Sequence, residues 1–335
     1  MTPISIGDMA QSFVLRRHQV QAKAQLDNLI EELASGKAAD ISRHLSGSYA
    51  FLSDVDNKLG LLDAYDTGAS EASLVTDGLQ AALETVRKIS VDLGAAASTV
   101  DATNLAPPFE TVAARATEDF GSIVAALNTE VAGRHLLSGT ATDQPPLLDA
   151  ATLLDTLRAE LGGVTDAAGA RAALDAWFGP GGDFETVAYL GDTSTPAAFL
   201  VGDGETVSLA LRADSDPIRD LLKNTAMAAL SSETSLTLST ADRREMLVTA
   251  GQNLSLNSDG LTRVQSDLGY AQARIEQAEA RNAAARTSYQ IARTELLEVD
   301  PYDAVTRLEN LQFQLESIYT VTARLSRLSL VEYLR

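Results

Sequence analysis

A heptad pattern near the C-terminus is the feature that most constrains the fold of this 335-residue chain. Apolar and small residues recur at alternating spacings of three and four from Leu261 to Val299, and the charged side chains between them lie off this seam. Such a seam is typical of a helix that packs lengthwise against other helices. A helix over this segment is about 58 Å long, whereas a compact globule of this size is roughly 50 Å across. The sequence therefore predicts an elongated, antiparallel helical bundle or coiled-coil rod.

Apolar stripes continue at both ends of the chain. Asp300 and Pro301 have the residue types of an N-cap and a first-turn proline, and they predict a second C-terminal helix whose apolar face runs to the last residues. In the N-terminal part a helix is predicted to end at Ser35, with Gly36 just beyond it as the αL residue.

Further helical stripes cover residues 52–93 and 109–137. An intramolecular bundle core is the favoured interpretation of the seam over 261–299. Stripes at the two chain ends favour an intermolecular role instead, because two helices alone bury little apolar surface. The predicted assembly interface consists of Leu26, Leu29, Ile30, Leu33, Leu308, Leu311, Leu315, Ile318, Leu325, Leu328 and Leu330.

The middle of the chain has a different pattern, with Pro/Gly turn signals and an alternating hairpin around Phe199–Leu211. Short helices are expected over 153–161 and 168–178, and Trp177 is the expected core anchor. We therefore expect a mainly α fold with an inserted α+β domain. The predicted division is a terminal assembly region (1–42 and 300–335), a helical rod domain (43–142 and 236–299) and an inserted domain (143–235).

Composition excludes several classes of partner and linkage. The chain has no cysteine, so disulfides and thiolate metal sites are excluded. Its net charge of −20 argues against nucleic acid and anionic membrane as partners. The first thirty residues lack the apolar stretch of a cleavable signal peptide, so we expect that export, if it occurs, uses another route.

Catalytic chemistry has no sequence signal in this chain. Its three histidines, His18, His44 and His135, are scattered and form no metal-ligand pair. No nucleophile with a base, and no pair of carboxylates in catalytic spacing, can be assembled. We therefore expect a protein that is not an enzyme, with no catalytic residue, no metal and no cofactor.

Local motifs resemble the flagellin superfamily over roughly residues 1–140 and 240–335. The turn Leu33–Lys37, containing Gly36, resembles the turn after the first flagellin helix, and Ala304–Leu334 resembles the flagellin C-terminal signature. Within the family, the segments Asn128–Thr140 and Tyr189–Asp192 are similar to those of subunits at the junction between hook and filament. The residues carrying these motifs are Gly36, Asn128, Gly133, Ser138, Gly139, Tyr189, Gly191 and Asp192.

The resemblance implies a structural subunit of the bacterial flagellum that is exported without a cleavable signal peptide and polymerises through its apolar terminal helices. Its implied partners are copies of itself, the first hook-associated protein, flagellin and a cytosolic export chaperone. Two alternatives remain open at this point: a flagellin that forms the filament itself, and a cytosolic coiled-coil adaptor.

Overall fold

The computed structural model describes residues 6–100 and 108–333, with side chains for residue 10 and for residues 13–100 and 108–324. The chain forms two compact units. Unit 1 comprises the described parts of residues 1–63 and 283–335, and unit 2 comprises those of residues 64–282. The division of the chain into three regions that the sequence predicts stays a prediction.

Helices account for most of the described chain. The elements in chain order are α1 (Ile6–Ser35), α2 (Ile41–His44), α3 (Ala50–Ser98), α4 (Phe109–Leu127), β1 (Glu130–Val131), β2 (Arg134–His135), α5 (Ala150–Glu160), α6 (Ala167–Phe178), β3 (Phe199–Gly202), β4 (Glu205–Val207), α7 (Asp216–Leu230), α8 (Thr240–Leu256), α9 (Ser258–Leu297) and α10 (Pro301–Tyr333). The predicted fold class, mainly α with an inserted α+β region, is confirmed.

Unit 1 consists of α1, α2, α10, the beginning of α3 and the end of α9. Ion pairs join the beginning of α3 to the end of α9. Arg293 Nε lies 2.8 Å from Asp56 Oδ1, and Arg286 pairs with Asp63. Ala285, Tyr289 and other seam residues of this part of α9 are half-buried. The heptad pattern thus correctly identifies the side of the helix that faces its neighbours.

Unit 2 contains the main hydrophobic core, built from α3, α4, α5, α6, α7, α8 and the first part of α9. Phe120 and Ile123 of α4 are fully buried in it. Trp177, the expected anchor, is 4% exposed. Its ring lies edge-on to Phe178 and Phe184, with centroid distances of 4.7 and 6.0 Å. Aromatic pairs in this geometry add to the free energy gained by burial.

The hairpin β3–β4 packs onto a second, smaller core in unit 2. Val201 and Val207 are buried against Ala69 and Ala72 of α3, and Ile275 of α9 completes the contact. The small residues of α3 bring the strand so close that a Cβ on Gly68 would clash with the backbone of Leu200.

Polar contacts hold the same hairpin on α9. The buried amide Nδ2 of Asn282 donates to the carbonyl oxygen of Val201 at 2.9 Å. Glu205 pairs with Arg281, and Arg274 lies 3.7 Å from the same carboxylate. The strand is therefore fixed both by apolar burial and by a buried hydrogen bond.

Two boundaries predicted from the sequence are wrong. The helix expected over 109–137 ends at Leu127, because a tight turn with positive φ at Ala132 and Gly133 joins β1 to β2. The second strand expected to reach Leu211 ends at Val207. Helix α7 has no counterpart in the sequence analysis, although Ser215 and Pro217 mark its start.

Candidate assembly surface

Helices α1 and α10 lie side by side in unit 1 and run antiparallel. Helix α1 ends where the sequence predicts, because Gly36 adopts a φ of 69° and its N–H donates to Glu32 O at 2.8 Å. Helix α10 begins at the predicted cap, with the Tyr302 N–H donating to Asp300 Oδ1 at 2.8 Å. Both boundaries follow from local capping chemistry.

A short backbone clamp joins the two helices at one end. Lys37 and Glu298 form an antiparallel bridge. The Ala38 N–H donates to Leu297 O at 2.9 Å, and the Val299 N–H donates to Gly36 O at 3.1 Å. This clamp fixes the register, so that residues at equal distances from it along α1 and α10 lie opposite each other.

The predicted interface residues separate into three groups in the structure. Leu26 and Leu29 of α1 pack with Leu311 and Leu315 of α10 around the buried Ala22. These leucines therefore form a small core between the two helices of one chain.

The other predicted residues are less covered. Leu308 and Ile318 are half-buried, whereas Ile30 and Leu33 are 51% and 37% exposed. The side chains of Leu325, Leu328 and Leu330 lie outside the described residues.

A set of exposed apolar side chains was missed by the sequence analysis because these residues lie off the heptad seam. Phe13 and Val20 on α1 are 68% and 65% exposed, and Tyr302 and Phe313 on α10 are 82% and 75% exposed. Large side chains at such exposure leave apolar surface in water, and contiguous patches of this kind mark interaction sites. A search for large apolar residues outside the seam would have found them.

A polar cleft of about 600 Å³ lies beside the clamp, between α1, α2 and the start of α10. Its lining includes Glu32, Asp300 and Asp303, together with Arg43 and His44. The His44 Nε2 donates to Leu296 O at 3.1 Å. The imidazole thus serves as a structural hydrogen-bond donor within unit 1.

Five of the motif residues meet in one loop cluster of unit 2. The Asp192 N–H donates to Ser138 O at 2.9 Å, and the Tyr189 hydroxyl donates to Asp192 O at 3.0 Å. A Cβ on Gly191 would lie 2.7 Å from Ser138 O, and Gly139, with a φ of 62°, has no room for a Cβ beside Asp192. The two segments singled out in the sequence therefore pack against each other through their backbones.

Asn128 and Gly133 support the same region. The Asn128 side chain accepts from the Leu147 N–H and donates to Leu147 O, both at 3.0 Å. Gly133 supplies positive φ for the turn of β1–β2. His135 Nδ1 donates to Asn128 O at 2.9 Å. These roles are structural, since each group is engaged with backbone.

Burial raises the pKa of two side chains in unit 2. Burial raises the pKa of Tyr189 to about 12, and the nearby Asp214 carboxylate adds to the effect. Burial also raises the pKa of Asp119 above its usual range. The Asp119 Oδ2 is buried and, within the described residues, has no hydrogen-bond partner, although Arg115 Nε lies 3.3 Å away.

The described residues hold neither a metal-binding cluster nor a membrane-spanning helix. They contain no cluster of three or more His, Asp or Glu side chains that could hold a metal ion. No described helix combines the length and apolarity needed to cross a membrane.

A comparison with known proteins finds a family match in the C-terminal part of the chain. Residues 255–334 match the family described as the bacterial flagellin C-terminal helical region. This segment contains the whole of α9 and α10. The match supports the flagellin superfamily and, with it, a structural role in the flagellum, assembly into a flagellar polymer and a location outside the cell. No curated protein shows significant similarity to the chain.

Proposed function

We propose that this chain is a structural, non-enzymatic subunit of the bacterial flagellum. The observation that carries the proposal is the antiparallel pair of α1 and α10, whose inner face is covered within the chain while large apolar residues remain on its outside. The α10 helix of this pair lies in the segment that matches flagellins. Exposed apolar surface on a terminal helix pair is the property that a polymerising subunit needs.

Within the flagellum, we propose the position between hook and filament, as the third hook-associated protein. The support comes from the loop cluster of Ser138, Gly139, Tyr189, Gly191 and Asp192, whose two sequence segments resemble those of junction subunits. The expected neighbours are the first hook-associated protein and flagellin. The proposal includes a cytosolic chaperone that binds the chain before export. A filament-forming flagellin is the second candidate, because the C-terminal match applies equally to it.

Labelled antibodies against the chain, applied to isolated flagella, test the assignment. A single band at the hook end supports the junction, and label along the whole filament supports a flagellin. Label confined to the cell body contradicts both positions.

The exposed residues Ile30 and Leu33 allow a functional test that leaves the inner core of the pair intact. Changing both to Asp places two carboxylates where we expect neighbouring subunits to bury apolar surface, which is costly. Cells with this variant should export the chain but release filament subunits unpolymerised. The matched control is Ala24→Asp with Ala34→Asp, which adds the same charge at exposed positions of α1. Normal filaments in the Ile30/Leu33 strain would contradict the assigned surface.

A further inference from the structure

Helix α1 contains a basic segment, although the chain as a whole is acidic. From Met9 to Leu26 the sequence contains no Asp or Glu, whereas Arg16, Arg17 and Lys23 are all basic and exposed. Among the described residues these three form no ion pair. An unpaired basic segment is unusual in a chain whose net charge is −20.

One face of this segment combines charge with apolar surface. Phe13, Arg16, Arg17 and Val20 are spaced i, i+3, i+4 and i+7, so they share one side of α1, and they line one shallow groove. All four are exposed. We call these four residues the basic stripe.

Helix α10 carries a stripe of opposite charge. Tyr302, Val305, Glu309, Phe313 and Glu316 recur at spacings of three and four, and all five are exposed. Among the described residues, neither glutamate forms an ion pair. We call these five residues the acidic stripe. Its part from Glu309 to Glu316 has the same length as the basic stripe, about 10 Å.

We propose that the basic stripe of one copy of this chain docks on the acidic stripe of a second copy, head to tail. This inference rests on the proposed function and names the residues that make one of its copy-to-copy contacts. In such a contact Arg16 and Arg17, in the middle of the basic stripe, lie over Phe313 and reach Glu309 and Glu316 on either side of it. Charged pairs set the register and orientation, and the aromatic and aliphatic side chains are removed from water.

A head-to-tail contact between two copies fits the charges of the stripes better than a symmetric contact does. If two copies met through the same stripe, arginine would face arginine or glutamate would face glutamate, and like charges repel. A head-to-tail contact pairs opposite charges and leaves one free stripe of each kind at the ends of the assembly. Such contacts continue into rings or helical polymers.

Charge reversal on each stripe, followed by mixing, tests the proposal. Variant A carries Arg16→Glu with Arg17→Glu, and variant B carries Glu309→Arg with Glu316→Arg. Each alone presents two stripes of one sign, so its self-association in sedimentation velocity should be at least tenfold weaker than that of the natural chain. A mixture of A and B should associate again, because the stripes of A are acidic and those of B are basic.

Controls separate this contact from general charge effects. Lys58→Glu with Arg263→Glu changes the net charge as variant A does at exposed positions away from the stripes, and it should associate like the natural chain. Self-association of the natural chain should weaken as salt rises from 0.1 to 1 M, since the screening length falls from about 10 to 3 Å. Circular dichroism should show unchanged helicity in A and B, because Glu and Arg have similar helix propensities.

Three results would overturn the proposal. They are a natural chain that stays monomeric at low salt, a mixture of A and B that does not associate, and binding of the natural chain to anionic phospholipid vesicles that replaces self-association and is lost in A. The proposed function is tested separately by the antibody label on flagella, so the two can fail independently.

Discussion

Replacing Gly68 by alanine should push the β3–β4 hairpin away from α3. A Cβ at this position would lie 3.2 Å from the carbonyl carbon of Leu200 and far inside van der Waals contact with its oxygen. Because the obstructing atoms belong to the backbone, a rotamer change cannot relieve the clash. The strand itself has to retreat by about 1 Å.

The change in the free energy of unfolding is the sum of opposing contributions. Alanine in a helix interior is favoured over glycine by up to about 1 kcal/mol. Overpacking of a tight contact costs about 1–3 kcal/mol. Moving the strand also strains the hydrogen bond from Asn282 to Val201 O, which contributes about 1 kcal/mol. We expect Gly68→Ala to lower the free energy of unfolding by about 1–3 kcal/mol.

The matched control is Gly269→Ala in α9, where the nearest atom to a new Cβ is Gln80 Nε2 at 4.0 Å. This substitution should stabilise by up to about 1 kcal/mol, because only helix propensity changes. Urea denaturation of both variants measures the sign, and hydrogen exchange over 199–207 should rise in Gly68→Ala alone. Equal stabilisation by both substitutions would refute the close packing of hairpin and helix.

Other expectations follow from burial. Because the pKa of Asp119 is raised in the folded state, its favourable contribution is present below the ordinary carboxyl pKa and is lost as pH rises through the folded value. Asp119→Asn should therefore raise the melting temperature at pH 7, and this gain should shrink as the pH falls below the ordinary carboxyl pKa; no gain at pH 7 would contradict this. In an absorbance titration, Tyr189→Phe should remove a tyrosine ionisation near pH 12, and an unchanged ionisation near pH 12 in this variant would contradict its burial. Leu311→Ala with Leu315→Ala should cost roughly 2–5 kcal/mol per residue and abolish exchange protection over 301–324, and unchanged protection there would show that the helix pair does not depend on this core.

Periodicity and capping were sufficient to predict α1, α3, α9 and α10 and several of the helix ends. Alternating spacings of three and four identified the buried side of α9, and Asp300 with Pro301 marked the start of α10. These signals are local, because a helix is defined by bonds between residues four apart. The end of α4 was missed because residues 128–137 remain apolar enough to continue the stripe, and only Gly133 indicated the turn.

Features that depend on distant partners could not be predicted in the same way. Gly68 interrupts a helical stripe with no local sign that the backbone of Leu200 lies against it. Likewise, the seam predicted that Leu311 and Leu315 would be buried, but it could not tell a partner in the same chain from one in another. The exposed aromatic residues of α10 were not predicted, because they occupy helix positions outside the heptad seam.

The clamp between Lys37 and Glu298 has a consequence for the order of folding. It joins residues that are far apart in sequence, so closing it directly from the unfolded chain carries a high entropic cost. Folding of unit 2 lowers this cost, because α3 and α9 are already held together there through Ala69, Ala72 and Ile275. A chain that emerges N-terminus first therefore carries α1 without its partner until α10 has emerged. The helix pair, with the surface it presents, therefore forms after the segments of unit 2 have emerged.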